Sequence, residues 1–338
     1  MKIIKPSVEV MRTGLEKEYI IPEQFIERVG RTCYKSEDKI ADGSAEKFVA
    51  NLVKRGHEAM IEHYNLIFKT TDLADFIDIR IDWNMLMHNV NLYDDNRKLI
   101  DSKLRPHIRF TSYITADMER RYIVSGNMRA WRDFIKACIT RFGNIPIYMY
   151  GIVRCYPTFF SEFESYIPPI INNSILIPIN ESDLLPGMEQ NVHMNVTVKF
   201  VCDRGVSHEL VRHRAASFAQ ESTRYCNYSK DKFGGEITVI RPSWCSENDS
   251  IYDIWKEKMD HAESAYFDML LNGATPQEAR SVLPNSLKTE VIMTMDLDGW
   301  NHFFELRCAE GAHPDMREVA IMTRDAFKAA GLLKEVTE

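Results

Sequence analysis

The sequence predicts an α+β fold: a mixed sheet with helices, interrupted by a central inserted subdomain. One long alternating strand, several amphipathic helical segments around it, and a stretch at 73–190 without sustained period together predict this fold. The strand is the plainest element. From Val192 to Cys202 the even positions Val192, Met194, Val196, Val198, Phe200 and Cys202 are apolar, while His193, Asn195, Thr197 and Lys199 alternate with them. That period of two is the mark of a half-buried strand.

The helices follow from the period of 3.6. Pro22 early, Ile26 and Val29 on one face, and Phe48, Leu52 and Val53 later read 22–55 as helical, with a stop at Arg55-Gly56. After the strand, Gly205 and Ser207 break the alternation. Val206, Leu210 and Val211 then predict a short helix running into Arg212-His213-Arg214. Ala262, Ala265, Tyr266, Met269 and Leu270 form a stripe that stops at Gly273, where a left-handed C-cap costs little. Thr275-Pro276-Gln277-Glu278 has the capping-box pattern with proline at the first helical position, which puts Arg280 within the first two turns. Residues 301–332 are helical by the spacing of Phe303, Phe304, Leu306, Val319, Ala320, Met322 and Phe327. The expected organisation is 1–72 and 191–338 as two parts of one domain, with 73–190 inserted between them.

Composition excludes several classes. At 338 residues, with 45% hydrophobic and 27% charged residues, the chain can bury a substantial core. A net charge of -7 argues against a surface built to hold nucleic acid. MKIIKPSVEV has no apolar secretory core and no run of about 18 apolar residues exists, so no membrane span and a cytoplasmic location are expected. The seven cysteines are scattered and never spaced C-x-x-C, which points to neither a disulfide framework nor a metal site. Cys226, two residues after Arg224, is the one candidate for a reactive thiol, against the commoner reading of a half-buried reduced cysteine.

Charge is local. Between Lys199 and Tyr225 lie Lys199, Arg204, Arg212, Arg214 and Arg224 against Asp203, Glu209 and Glu221, an excess of +2 within a chain of net -7. Guanidinium groups with serines between them, as in RHRAASFAQESTRY with Ser217 and Ser222, suit a phosphate-bearing guest. On composition alone a solvated basic face paired with neighbouring acids fits equally well.

The segment RHRAASFAQESTRY resembles the signature of the flavin-dependent thymidylate synthases, R-H-R-x-x-S-x-N-x-x-S-x-R, at six of its seven specified positions. Upstream, Gly56-His57-Glu58 with Glu62-His63 resembles the family's G-H-x-S-x-x-E-H element. Downstream, Ala279-Arg280-Ser281-Val282-Leu283-Pro284 and Phe303-Phe304-Glu305-Leu306-Arg307 are similar to further family blocks. The resemblance implies reductive methylation of dUMP to dTMP with FAD, methylene-tetrahydrofolate and NADPH, in a homotetramer whose partners are small molecules. It assigns Arg212, His213 and Arg214 to the FAD, with Ala59 beside it where the family often has Ser, and His302 on the flavin side. Glu209, Gln220, Ser222, Arg224 and Arg280 are implied for dUMP, with Gln220 also on the cofactor. Arg307, Ser222 and His57 are the implied catalytic residues, with Arg307 against the uracil. A fixed guanidinium there stabilises negative charge developing on the ring, and a carrier held beside C5 reacts by proximity.

Besides Ala59, the chain departs from the pattern at four points. Ala219 replaces the signature Asn, Glu209 replaces a common Gln, and Asp296 and Asp298 stand where Asn and Arg are usual. Two carboxylates there would repel a pyrophosphate. Residues 122–134, with Asn127, Arg129, Trp131 and Phe134, align with 291–303, with Asp296, Asp298, Trp300 and Phe303. A second, better-preserved copy of the element explains this and hands the flavin contacts to Asn127 and Arg129; two unrelated strand–helix junctions explain it as well. Two rivals remain for the function as a whole: a diverged paralogue that binds nucleotide without flavin turnover, and an RNA- or DNA-binding protein using the RHR cluster, which the net charge disfavours.

Overall fold

A computed structural model describes residues 1–14, 20–70, 108–114, 120–168, 176–224, 226–230 and 233–333. In chain order these hold β1 (Lys2–Ile4), β2 (Ser7–Arg12), α1 (Pro22–Tyr34), α2 (Ser44–Lys54), β3 (Asn65–Thr70), β4 (Ile108–Ile114), β5 (Arg120–Asn127), α3 (Met128–Phe142), β6 (Ile177–Ile179), α4 (Met188–His193) and β7 (Asn195–Asp203). There follow α5 (Arg204–Leu210), β8 (Ser217–Gln220), β9 (Thr238–Ile240), α6 (Ser250–Leu271), α7 (Pro276–Ala279), β10 (Lys288–Asp296), α8 (Leu297–Arg307) and α9 (Pro314–Ala329). They form two compact units, one of 1–13, 28–40 and 196–338, the other of 14–27 and 41–195. The described residues of 73–190 lie in the second unit, together with 41–70.

The first unit is built on a four-stranded sheet in the order β2-β7-β10-β8 and a parallel β1-β9 pair. Val198, Phe200 and Cys202 of β7 are fully buried, as the alternation predicts. Thr197 is buried too, because its hydroxyl meets that of Thr294 on β10 at 2.8 Å and needs no water. The strand starts at Asn195 rather than Val192, since Met188–His193 coils into α4 first. Behind the sheet, Trp300 packs within 5.1 Å of Phe327 and 5.3 Å of Phe303, ring centre to ring centre. Its indole N–H donates to the Val196 carbonyl at 3.1 Å. Trp300, Phe303 and Phe304 are therefore core.

One edge of this unit is polar. Glu221 and Glu290, at the adjoining ends of β8 and β10, gather Lys35, Lys199 and Lys288: Lys199 to Glu290 at 2.7 Å, Lys288 to Glu290 at 2.5 Å and to Glu221 at 2.9 Å, and Lys35 also on Glu290. A cavity of about 450 Å³ opens beside them, lined in part by Lys35, Lys288, Glu221, Tyr228 and Phe233.

In the second unit the sheet order is β4-β5-β3-β6, all pairs antiparallel. Asn65 stands opposite Asn127 and Ile67 opposite Ser125. Trp131 packs edge-on against Phe68 at 5.5 Å. His193 is fully buried between two hydroxyls, Ser125 at 2.7 Å on Nδ1 and Thr111 at 2.8 Å on Nε2. Its burial, with Arg109 nearby, lowers the imidazole to about 3, so it sits there neutral.

Two helical expectations are corrected. The segment 22–55 is broken between Tyr34 and Ser44: Lys35 takes a left-handed φ of 49°, Gly43 one of 69°, and only a 3₁₀ turn at Glu37–Lys39 lies between. The segment 301–332 begins earlier, at Leu297, and is interrupted after Arg307, restarting at Pro314 where a first-turn proline is well placed. The capping box at Thr275 and Glu278 forms in both halves, and Gly273 carries a φ of 92°.

Candidate active site

Three turns of chain deliver the basic cluster. Asp203 ends β7 and caps α5 by accepting from the Val206 N–H at 2.7 Å. This short helix stops at Leu210 and releases Arg212, His213 and Arg214 in a turn before β8. Arg212 and Arg214 are exposed, and their guanidinium groups hold no hydrogen bond or ion pair among the described residues. Two adjacent uncompensated guanidinium groups are a donor set that fits a diphosphate. His213 is half-buried, with Phe303 edge-on at 5.0 Å. Burial first, then Arg307 and His302, lower its imidazole to about 4.

Arg307, at the end of α8, reaches into the same cluster. Its Nε donates to His213 Nε2 at 3.1 Å, Nη1 to Glu209 Oε2 at 2.5 Å and Nη2 to the Glu209 carbonyl at 3.2 Å. The structure thus brings together the first residues of the signature and the last of the downstream blocks, 94 positions apart. The remaining signature residues follow on β8 and beyond. Gln220 donates to Ser207 at 3.0 Å and to Thr289 at 3.3 Å, Arg280 donates to Thr223 at 3.2 Å, and Arg224 is exposed with Nε on Gln277 at 3.2 Å. Ser222 is half-buried, its N–H on the Cys33 carbonyl at 3.3 Å. His302 is exposed on α8, 3.6 Å from Glu305.

His57, Ala59, Asn127 and Arg129 belong to the second unit. His57 and Ala59 are exposed around the turn that precedes the 3₁₀ segment Met60–His63. Arg129, on the first turn of α3, donates to Glu62 of that segment at 2.6 Å and lies 3.6 Å from Asp133. Asn127 ends β5 and caps α3, its Oδ1 accepting from the Ala130 N–H at 2.8 Å. Asp296 does the same at the end of β10, accepting from the Gly299 N–H at 2.6 Å. The two aligned segments therefore share one construction: strand, capping side chain, helix, and buried Trp and Phe four and seven residues on. Asp296 spends a carboxylate oxygen on its own helix; of the two acids only Asp298 stands exposed.

Sequence reasoning missed Glu62 as the partner of Arg129, and Arg132 altogether. Arg132 is 1% exposed and binds Glu58 at 3.1 Å and Glu162 at 2.8 Å. Burial pushes the Glu58 carboxyl up, and Lys136 and Arg132 outweigh it and hold it below the usual range. Nothing in the pattern of 122–134 separated Arg132 from a surface arginine. Cys226, by contrast, is 1% exposed, and burial followed by Glu221 pushes its thiol up to about 12, the opposite of an activated nucleophile.

Residues 191–330 match the family model described as thymidylate synthase complementing protein. That span contains the whole RHRAASFAQESTRY segment, the Arg280 block and Arg307. Over that span the chain is similar to this family. A flavin-dependent thymidylate synthase of Pyrococcus furiosus is 38% identical over 119 residues, covering 35% of this chain and 48% of the relative. Proteins of the same name from Geobacter sulfurreducens and Corynebacterium glutamicum are 36% and 32% identical, over 35% and 38% of this chain and 49% and 56% of their own length. The chain thus spans about half the length of the curated relatives it matches.

Proposed function

We propose that this chain is a flavin-dependent thymidylate synthase, converting dUMP to dTMP with FAD, methylene-tetrahydrofolate and NADPH. The observation that carries the proposal is the meeting of Arg307 with Glu209 and His213 beside the two unpaired arginines of the signature. A site for a uracil nucleotide next to a flavin diphosphate needs that combination: fixed positive charge for the ring, free positive charge for the phosphates.

In this reading Arg212, His213, Arg214 and His302 would hold the FAD, while Ala59 by the family pattern, and Asn127 and Arg129 by the second-copy reading, are the flavin-side candidates of the second unit. The flavin supplies the hydride and one-carbon relay chemistry when bound. The chain's own residues do the rest. Arg224, Arg280 and Ser222 bind and orient the nucleotide phosphate, Gln220 and Glu209 border the nucleotide, and Arg307 favours electron density on the uracil ring so that C5 becomes nucleophilic. His213 is neutral at physiological pH and accepts from Arg307, so its second ring nitrogen carries the proton and is available to donate. His57 is read as a folate- and flavin-side residue. The family pattern further supports a homotetramer working in the cytoplasm, and no helix among the described residues is long and apolar enough to cross a membrane.

The deciding experiment is an assay of purified protein for dTMP formation with each of FAD, methylene-tetrahydrofolate and NADPH omitted in turn. Product should form only with all three. Robust turnover without flavin sinks the proposal, and a colourless protein that FAD cannot reconstitute favours a nucleotide-binding paralogue instead.

A further inference from the structure

A guanidinium has five N–H donors in a rigid plane, and in Arg307 the protein itself uses three. Nε goes to His213, Nη1 to the Glu209 carboxylate and Nη2 to the Glu209 backbone carbonyl. Glu209 thus takes the guanidinium from two directions at once. Its carbonyl lies in the last turn of α5, at the end of the helix that attracts cations, and also accepts from the Arg212 N–H at 3.3 Å. His213 supports the third contact, and its own ring is braced by the fully buried Phe303 at 5.0 Å. The side chains of Arg307 and Glu209 are 18% and 26% exposed, so both stand at the rim of the cluster rather than in open solvent. One N–H remains on each terminal nitrogen. These two donors remain for acceptors on a planar ring.

We propose that Glu209 is a positioning residue for Arg307, fixing the guanidinium so that its two remaining N–H groups meet the acceptor edge of the pyrimidine, rather than touching the nucleotide itself. This rests on the reading of the site as a uracil nucleotide site. The carboxylate that departs from the family's common Gln keeps its stabilising effect without facing an anionic ligand, because its charge is already compensated by Arg307 at 2.5 Å. An arginine held in this way is preorganised for the negative charge that develops on the ring, so its stabilisation appears in the transition state.

The test compares the holoenzyme with Glu209→Ala and Glu209→Gln in steady-state dTMP formation. Without its clamp Arg307 is misplaced, and Glu209→Ala should lose about 100-fold in kcat, with KM for dUMP moved by less than about threefold. Glu209→Gln should recover most of kcat, since its amide oxygen accepts the same N–H. Should the alanine variant not fold, Glu209→Asp, which withdraws the carboxylate by one methylene, should show the same kcat-only loss. A rise in KM with kcat preserved, or a glutamine variant as impaired as alanine, overturns the proposal in favour of direct nucleotide contact. A second readout is independent of turnover: nitrogen-15 NMR of the Arg307 Nε–H and of the His213 ring. The Arg307 signal should be protected from solvent exchange in the wild type and lose that protection in Glu209→Ala. If the wild type neither binds nor converts dUMP, the uracil reading fails while this measurement still decides the clamp; equal protection in both proteins ends it.

Discussion

Arg129 stands 2.6 Å from Glu62, so the first turn of α3 is tied to the 3₁₀ segment that closes the Gly56–His63 block. Two stretches of sequence that the family pattern assigns to the flavin are thereby joined within one unit. Arg129→Ala should weaken FAD retention by about 1.5–3 kcal/mol, the scale of a charge-assisted hydrogen bond. Exposed Asp298 on the other copy should be replaceable by Ala with retention unchanged or improved. Flavin absorbance after extensive dialysis measures both, and full occupancy in Arg129→Ala would show the central copy to be structural.

The capping roles of Asn127 and Asp296 give a second expectation. Replacing either with Ala removes the acceptor of one helix N-terminus and should cost about 1 kcal/mol of stability. Exchanging Asp296 for Asn should cost much less, because the amide oxygen caps equally well. Urea unfolding followed by circular dichroism checks the ranking. An Asn variant as unstable as the Ala variant would give Asp296 a role beyond its helix.

Arg307 and Arg224 should separate in kinetics. Arg307 is held by three contacts at 2.5, 3.1 and 3.2 Å, whereas Arg224 is exposed with one neutral partner at 3.2 Å. Arg307→Ala should cut kcat far more than it raises KM for dUMP. Arg224→Ala should mainly raise KM, as loss of a ground-state phosphate contact does. Identical effects of both variants on both parameters would contradict this division.

Cys226 should be dispensable. Its thiol is buried and held protonated far above neutral pH, so it offers the uracil no covalent partner. Cys226→Ser should fold, retain flavin and turn over. Abolished activity in such a flavin-loaded variant would overturn the assigned chemistry.

Stability should fall in two stages on acidification. The folded-state pKa of His193 is depressed from 6.5 to about 3, so its contribution is complete above 6.5 and is lost progressively as pH drops toward about 3. Glu290 is depressed from 4.5 to about 2: burial raises it, and Lys288, Lys35 and Lys199 outweigh burial, so its contribution begins to go only below 4.5. His193→Gln should flatten the first stage in a series of unfolding curves from pH 7 to 5. An unchanged slope there would mean that another group controls it.

The local rules were legible wherever a short-range device decides the structure. Thr275 and Glu278 announced their capping box, Gly273 its left-handed turn, and the alternation through Val198, Phe200 and Cys202 the central strand. The break after Arg307 had its signals in Gly311 and Pro314, which the spacing of apolar residues masked. Lys35 had none, since a lysine at positive φ is set by its tertiary surroundings. In the site, the family resemblance singled out Arg212, His213 and Arg214 for the flavin and Arg307 for the uracil. It could not show that Glu209 binds Arg307, because that contact joins residues 98 positions apart, at the ends of α5 and α8.

The lysine–glutamate cluster at the ends of β8 and β10 has unequal tolerance to sequence drift. Glu290 serves three lysines, Lys35, Lys199 and Lys288, while Lys35 and Lys288 each have Glu221 as a second acceptor. Losing any one lysine leaves Glu290 with two cations, so such a change is close to silent. Losing the Glu290 carboxylate takes from Lys199 its acid and leaves Lys35 and Lys288 to share Glu221, and burial makes that costly. The cluster is thus robust from its basic side and brittle from its acidic side. A lineage carrying this protein can exchange the three lysines one at a time, but it can relinquish Glu290 only after the lysines have gone.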